Sequence, residues 1–285
     1  MMKRYLITSA MAIAAVTAAA PALAQDRDSH FDGPYISGFV GAGMQNNDGG
    51  DGIVFDTDEN GSYGDRVTLA SPPAAPGTDA FGPGYCNGVA LGTSLGAGCR
   101  QDKDKIEYGA RIGFDKRMGG NFVLGGLFEV SRNNSRDGSS GFSTTPAAYV
   151  FDRKLDHALS LRARAGFTPG GGALFYATGG ASYAKIKHNF GTINNSANSF
   201  TEVRDGKRVW GWQAGGGAEV MLTDKVSLGL EYLYNRYNDD KYYVAVGTGT
   251  AGPANPFVLA GGVNMRPSDT RFDFHSVRAA VSFQF

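Results

Sequence analysis

Thr270-Arg271-Phe272-Asp273-Phe274-His275-Ser276-Val277-Arg278-Ala279-Ala280-Val281-Ser282-Phe283-Gln284-Phe285 is the stretch that decides the fold. Counted back from Phe285, every second residue is large or apolar: Phe283, Val281, Ala279, Val277. The residues between them, Gln284, Ser282, Ala280, Arg278 and Ser276, are small or polar. A period of two predicts a strand with one face for a core or a lipid tail. The stretch ends on an aromatic residue, which protects the edge of a soluble sheet poorly. A strand whose aromatic end sits in a membrane girdle has a reason to end there. The alternative is the last strand of a soluble sheet, and the rest of the chain decides between them.

Upstream, the alternation recurs. Residues 35–44 form a first strand whose sidedness is unclear. In residues 105–115, Ile106, Tyr108, Ala110, Ile112 and Phe114 oppose Lys105, Glu107, Gly109, Arg111, Gly113 and Asp115. Residues 122–131, 154–167, 173–186, 210–220 and 226–235 repeat the pattern, with weak contrast in 173–186. Residues 117–121, 168–172 and 222–225 read as tight turns. Residues 45–104, 132–149, 187–206 and 238–269 read as long polar loops. The sum is eight strands of about ten residues, the length a tilted strand needs to cross a bilayer. Short turns alternating with long loops mark an outer-membrane barrel. The fold class is therefore all-β: an eight-stranded antiparallel up-and-down transmembrane barrel with long extracellular loops and periplasmic termini.

A soluble eight-stranded barrel would show the same alternation, but the charges argue against it. Lys105, Glu107, Arg111, Glu129, Asp156, Arg162, Arg164, Glu219, Glu231 and Arg278 share faces with Gly and Ser, while the other faces carry Leu, Phe, Tyr and Trp. Eight strands enclose little space, and a ring of aromatic side chains would overfill it. The small and charged face fits inside. A charge left alone in a narrow lumen is costly, so these groups should pair. The expected network is Arg111, Glu129, Arg162, Arg164, Glu219, Glu231 and Arg278. Such a network plugs the lumen; the alternative is a set of charges lining a narrow porin-like path.

The N-terminus sets the compartment. Lys3 and Arg4 precede an apolar run over residues 6–20, and Pro21-Ala22-Leu23-Ala24 fits a small-x-small cleavage pattern. Residues 1–24 read as a signal peptide cleaved between Ala24 and Gln25, leaving 25–285 as one barrel domain in the cell outer membrane. Without Lys3 and Arg4, 25 basic face 27 acidic residues, a net charge of −2 that offers nothing to nucleic acid. No later run of eighteen apolar residues offers a helical span. Cys86 and Cys99 lie together in a polar segment of an exported chain, so a disulfide is expected.

The chemistry-bearing motifs are weak. Asp56-Thr57-Asp58-Glu59-Asn60-Gly61 matches half of a calcium loop, but the twelfth position is Val67 rather than a bidentate Glu. His30, His157, His188 and His275 show no ligand spacing. His188, placed in a surface loop, is the strongest haem-ligand candidate among them. Ser160 and His157 point to opposite faces of their strand, which argues against a catalytic pair. No catalytic residue, metal ligand or cofactor is expected, and the chain is not read as an enzyme.

The resemblance is more specific. Leu155-Asp156 through Leu161-Arg162-Ala163-Arg164-Ala165-Gly166 resembles an L-D-…-R-x-R-x-G segment. Phe175-Tyr176-Ala177-Thr178-Gly179-Gly180-Ala181-Ser182-Tyr183 resembles a Y-x-T-G-G-x-x-Y strand. Trp210-Gly211-Trp212 through Gly217-Ala218-Glu219, Leu228 through Glu231-Tyr232-Leu233-Tyr234, and Phe272-Asp273-Phe274-His275-Ser276-Val277-Arg278 complete the set. Together they are similar to the Omp25/Omp31-like outer-membrane proteins of alphaproteobacteria, over nearly all of residues 150–285 outside the loops. The resemblance implies a surface-exposed barrel shaped like the OmpA membrane domain, without its periplasmic domain. It implies a structural and immunogenic role, sometimes porin-like or haem-binding. The loop at 45–104 is unusually long for that family. The expected partners are outer-membrane lipid, the barrel-assembly machinery through Phe283 and Phe285 of the last strand, and a host or surface ligand through loops 45–104 and 239–269. A haem receptor or lipid-modifying enzyme ranks below these readings.

Overall fold

The computed structural model describes residues 30–45, 52–70, 77–102, 104–193 and 197–285. The predicted signal peptide, with Ala24 and Gln25, lies outside them. Eight long strands carry the fold: β1 (Gly33–Gln45), β2 (Lys105–Arg117), β3 (Phe122–Asn133), β4 (Ala147–Phe167), β5 (Ala173–Thr192), β6 (Arg208–Met221), β7 (Val226–Asn238) and β8 (Arg271–Gln284). Each pairs antiparallel with the next. β8 returns to β1, with Phe283 opposite Ile36, and the barrel closes. Closure leaves no free edge in the ring. In the turn between β2 and β3, Gly119 and Gly120 sit at φ 59° and 60°, where a side chain would be strained.

Burial assigns the faces. Ile106, Leu161 and Trp210 are each about two-thirds exposed on the outer wall, while Arg162, Arg278 and Glu129 are 1%, 1% and 0% exposed inside. A soluble protein does not cover its wall this way. β1 is now resolved: Tyr35, Ser37 and Phe39 point in, and Ile36 and Val40 point out. In β5, Tyr176, Thr178 and Ser182 point in. The lumen accepts backbone contact closely enough that a Cβ on Gly180 would collide with the Leu161 carbonyl.

Two expectations need correction. The first is the unbroken alternation in β4. His157 pairs with Lys185 and Leu155 with Ile186, so Asp156 has no partner and forms a bulge. The bulge reverses the faces above it. Leu155, Arg153 and Phe151 turn inward, while Lys154 and Asp156 turn outward. Asp156 is therefore not a lumen charge; it meets Lys187 at 2.9 Å and Arg132 at 3.4 Å on the wall.

The second correction concerns the loops, which are folded rather than merely polar. Ile53–Asp56, Ser199–Val203, Tyr243–Gly247 and Val263–Pro267 form a four-stranded sheet drawn from three different loops. Arg136–Ser143 folds back along the N-terminal part of β4, and Gly84–Asn87 pairs with it. Phe55, Val67, Phe81, Tyr149, Phe151, Val244, Phe257 and Met265 pack into one apolar core above the barrel. A one-turn helix, α1 (Pro256–Leu259), is capped by the Asn255 side chain and delivers Phe257 to that core. Cys86 and Cys99 are joined by a disulfide, beside the short ladder of Val89–Ala90 and Cys99–Arg100.

Deleting Asp156 removes the unpaired residue and is expected to leave Leu155 opposite Ile186 and His157 opposite Lys185, so Phe151, Arg153 and Leu155 keep their inward faces. The protein should keep the heat-dependent gel shift of a folded barrel, and trypsin should cleave the loop segments no more than about twofold faster. Inserting an alanine beside Leu155 instead turns that half of the strand over, and cleavage should then rise at least about tenfold. Loop protection lost on the deletion and kept on the insertion would refute the bulge.

Candidate functional site

The interior is a stack of side-chain layers. At the turn end, Phe31, Val123, Leu174, Tyr176 and Met221 form an apolar floor. Above it Arg164 binds Asp115 and reaches Glu219 at 3.1 Å, and its guanidinium lies 4.5 Å from the centre of the Tyr35 ring. Next, Arg111 meets Glu231 at 3.0 Å, and the Tyr176 hydroxyl donates to Glu231 at 3.0 Å. Arg162 joins Glu129 at 2.6 Å to Glu231 at 3.2 Å. Arg278 binds Glu107 and Glu129, the latter at 2.7 Å, and stacks 4.7 Å over Phe39.

All seven residues expected in the network thus lie inside and touch within it. Two further carboxylates, Glu107 and Asp115, belong to it. Both stand on the inward face of β2, in the same alternation as Arg111, so their position was legible from the pattern. Among the described residues the network has four arginines and five carboxylates. Each charge faces an opposite charge within 4 Å, and hydrogen bonds offset part of the desolvation cost.

A neutral layer follows. Ser160 and Ser182 lie 2.9 Å apart, Ser182 and the Tyr237 hydroxyl 3.0 Å, and Gln213 donates to Asn235 at 2.8 Å. Leu155, Ala158, Ala184, Ile186, Phe272 and Phe274 then close the upper barrel. Arg153, turned inward by the bulge, ties Asp137 at 2.6 Å to Asp239 at 3.3 Å beneath the cap.

His188 is not in a surface loop but in β5. It lies 2.8 Å from Asp239 and stacks on Tyr242 with ring centres 3.7 Å apart, so its imidazole is held as a structural contact. Ser160 is buried in the lumen and His157 lies on the wall, so they do not meet. Asp56, Asp58 and Asp65 bring carboxylate oxygens within 4.8 Å of one another. Asp56 accepts the backbone N–H groups of Asn60 and Gly61, and Asp65 that of Thr57, which fixes the turn. Val67 is packed in the cap core, so the calcium-loop pattern lacks its closing carboxylate. Phe283 and Phe285 stand together on the outer wall at the turn end, with ring centres 5.2 Å apart.

This is the construction of a membrane-spanning β-barrel, lipid-facing outside and filled with polar groups within. The chain belongs to the outer membrane protein beta-barrel domain family, whose model matches residues 9–285. It is 25% identical over 177 residues to the 31 kDa outer-membrane immunogenic proteins of Brucella melitensis and Brucella suis. That match covers 62% of this chain and 65% of each relative, just under two thirds of their length. The outer membrane protein OprG from Pseudomonas aeruginosa aligns with 91% of this chain and 99% of its own at 11% identity, with a TM-score of 0.46.

Replacing Arg164 by Met strands Asp115 and Glu219 and is expected to cost about 3–5 kcal/mol in urea unfolding from lipid vesicles. Adding Asp115→Leu and Glu219→Gln should restore most of it, because no buried charge is then left alone. Equal loss in the single and triple variants would refute the pairing account.

Where the barrel meets the cap, burial and then the neighbouring Asp137 carboxylate push Asp102 up to about 7. Asp152 adds to the effect, and the Gly138 N–H and Arg153 oppose it. The folded state thus favours the neutral acid. The stability this group adds is full below about 3.8 and is lost as pH rises through about 7. Hydrogen exchange of the segments around residues 84–102 should therefore speed up from pH 4 to pH 7, after correction for intrinsic rates. Asp102→Asn should flatten that trend; an unaltered slope would refute it.

Proposed function

We propose that this protein is a sealed outer-membrane barrel whose role is structural in the membrane and whose contacts are made by its folded cap. The observation that carries the reading is the continuous filling of the lumen, from the apolar floor through the paired charges to the aromatic closure. An ion crossing it would have to break several buried pairs in succession. Each such break costs several kcal/mol, and the sum is incompatible with passive flow.

In this reading the short turns and the termini face the periplasm, and the four-stranded cap faces outward. The Brucella relatives are immunogenic outer-membrane proteins by name, which fits a cap presented at the surface. The cap combines segments of loops 45–104, 187–206 and 239–269, so a host or surface ligand would meet one rigid platform rather than separate loops. Phe283 and Phe285 suit the role of insertion signal for the assembly machinery. The filled lumen and the absence of any assembled catalytic pair among the described residues weigh against an enzyme; a narrow channel is the reading the test must exclude.

Purified protein, refolded and shown by gel shift to be inserted in planar bilayers, is expected to give no current steps. Arg162→Ala combined with Glu129→Ala should open brief steps by removing the central pair. Uniform steps in the unaltered protein would overturn the sealed reading in favour of the channel.

A further inference from the structure

The outer wall carries a basic cleft that the sealed-barrel reading does not use. It has a volume of about 500 Å³ and is lined by Arg136, Lys154, Lys185 and Lys187, with Asp152 and Asp205 at its sides. The cations are set by strand register. Arg136 stands directly opposite Lys154, and Lys154 directly opposite Lys187. One row below, His157 is opposite Lys185, and Lys185 opposite Arg208. Like charges in directly opposed positions destabilise a sheet. Arg136 is compensated by Asp152 at 2.9 Å and Lys187 by Asp156 at 2.9 Å. Among the described residues, neither Lys154 nor Lys185 has a carboxylate within ion-pair distance.

The height of the cleft is informative. On β5 the outward residues run Phe175, Ala177, Gly179, Ala181, Tyr183, Lys185, Lys187. Ten residues from Phe175 to Lys185, at about 3.3 Å each and tilted by about 40°, rise roughly 25 Å. That is the height of the apolar band on such a barrel. Tyr183 and Trp210 pack at 4.8 Å just below the cations, and Arg208 lies 5.9 Å over the Tyr183 ring. An aromatic belt with a concave cluster of cations above it places positive charge at the level of lipid headgroups.

We infer that this cleft binds a phosphate-bearing sugar, supplied as the headgroup of a glycolipid in the outer leaflet. Lys154 and Lys185 take the phosphate, and Arg136 and Lys187 flank it. Asp152 and Asp205 supply acceptors for sugar hydroxyls, which favours a phosphorylated sugar over bare phosphate. The acyl chains run down the wall past Tyr183 and Trp210. The inference rests on the proposed outward orientation of the cap end. It also accounts for the opposed cations, whose repulsion a bound dianion offsets.

The test is native mass spectrometry of the full-length folded protein, released from micelles containing a diphosphorylated, acylated glucosamine disaccharide. One molecule should remain bound. Retention should fall at least about tenfold with the dephosphorylated lipid, and by a similar factor in the Lys154→Gln/Lys185→Gln variant. The deacylated headgroup should compete weakly; competition equal to that of the whole lipid would overturn the lipid source. In lipid-free detergent the double variant should melt no lower than the unaltered protein, since two repelling charges are gone. A lower melting point would assign the lysines to the fold and overturn the site. Protease protection in sealed vesicles is measured on the same samples. A chain that fails to insert overturns the outer-membrane reading itself, whereas an inserted double variant that keeps the lipid as well as the unaltered protein overturns only the cleft.

Discussion

Pairing of charges inside a narrow lumen is the constraint on which this structure depends. Closing eight strands leaves room for side chains and little else. Every inward position must then be small, or must find its partner across the barrel. Arg162 and Arg278 do this by bridging strands distant in sequence: Arg278 on β8 reaches Glu107 on β2 and Glu129 on β3. The pairs therefore act as cross-braces that fix which strand faces which. The glycines and serines of the same faces make room for the long guanidinium side chains.

The cap repeats the logic in apolar form. Strands from three loops bury Phe55, Phe81, Phe151 and Met265 above the lumen, and Arg153 fastens that layer to the barrel through Asp137 and Asp239. The Asp156 bulge is the hinge between the two regimes. Below it, β4 shows arginines to the lumen; above it, the same strand shows aromatics to the cap and lysine to the wall. One unpaired residue thus produces both the cap's anchor and the position of Lys154 in the basic cleft.

The barrel was legible because its rule is simple. A period of two, three tight turns and the segregation of charge from aromatic residues indicated the strands and the faces of most of them, residues 35–44 and 173–186 excepted, and all seven expected lumen residues lie on inward faces. The bulge was not legible. Leu155, His157 and Leu159 keep an apparent alternation across it, so the reversal leaves no trace in hydrophobicity. The cap was hidden for a related reason. Its strands are five residues or fewer, set among Gly, Asp and Pro, and two of the three pairings join different loops. Local pattern carries no information about such pairing. Glu107 and Asp115 were on the correct face but could not be matched to Arg278 and Arg164 without knowing the register across the barrel.

The most direct test of the sealed lumen is thiol accessibility. Ser160, in the neutral layer, and Ser282, nearer the turn end, both point inward, and the two native cysteines are joined to each other. Ser160→Cys and Ser282→Cys proteins, inserted in vesicles, are exposed to a small charged thiol reagent from either side. The account predicts no labelling until the barrel is unfolded. Labelling of the folded protein within minutes, from either side, would show a water-filled path and contradict it.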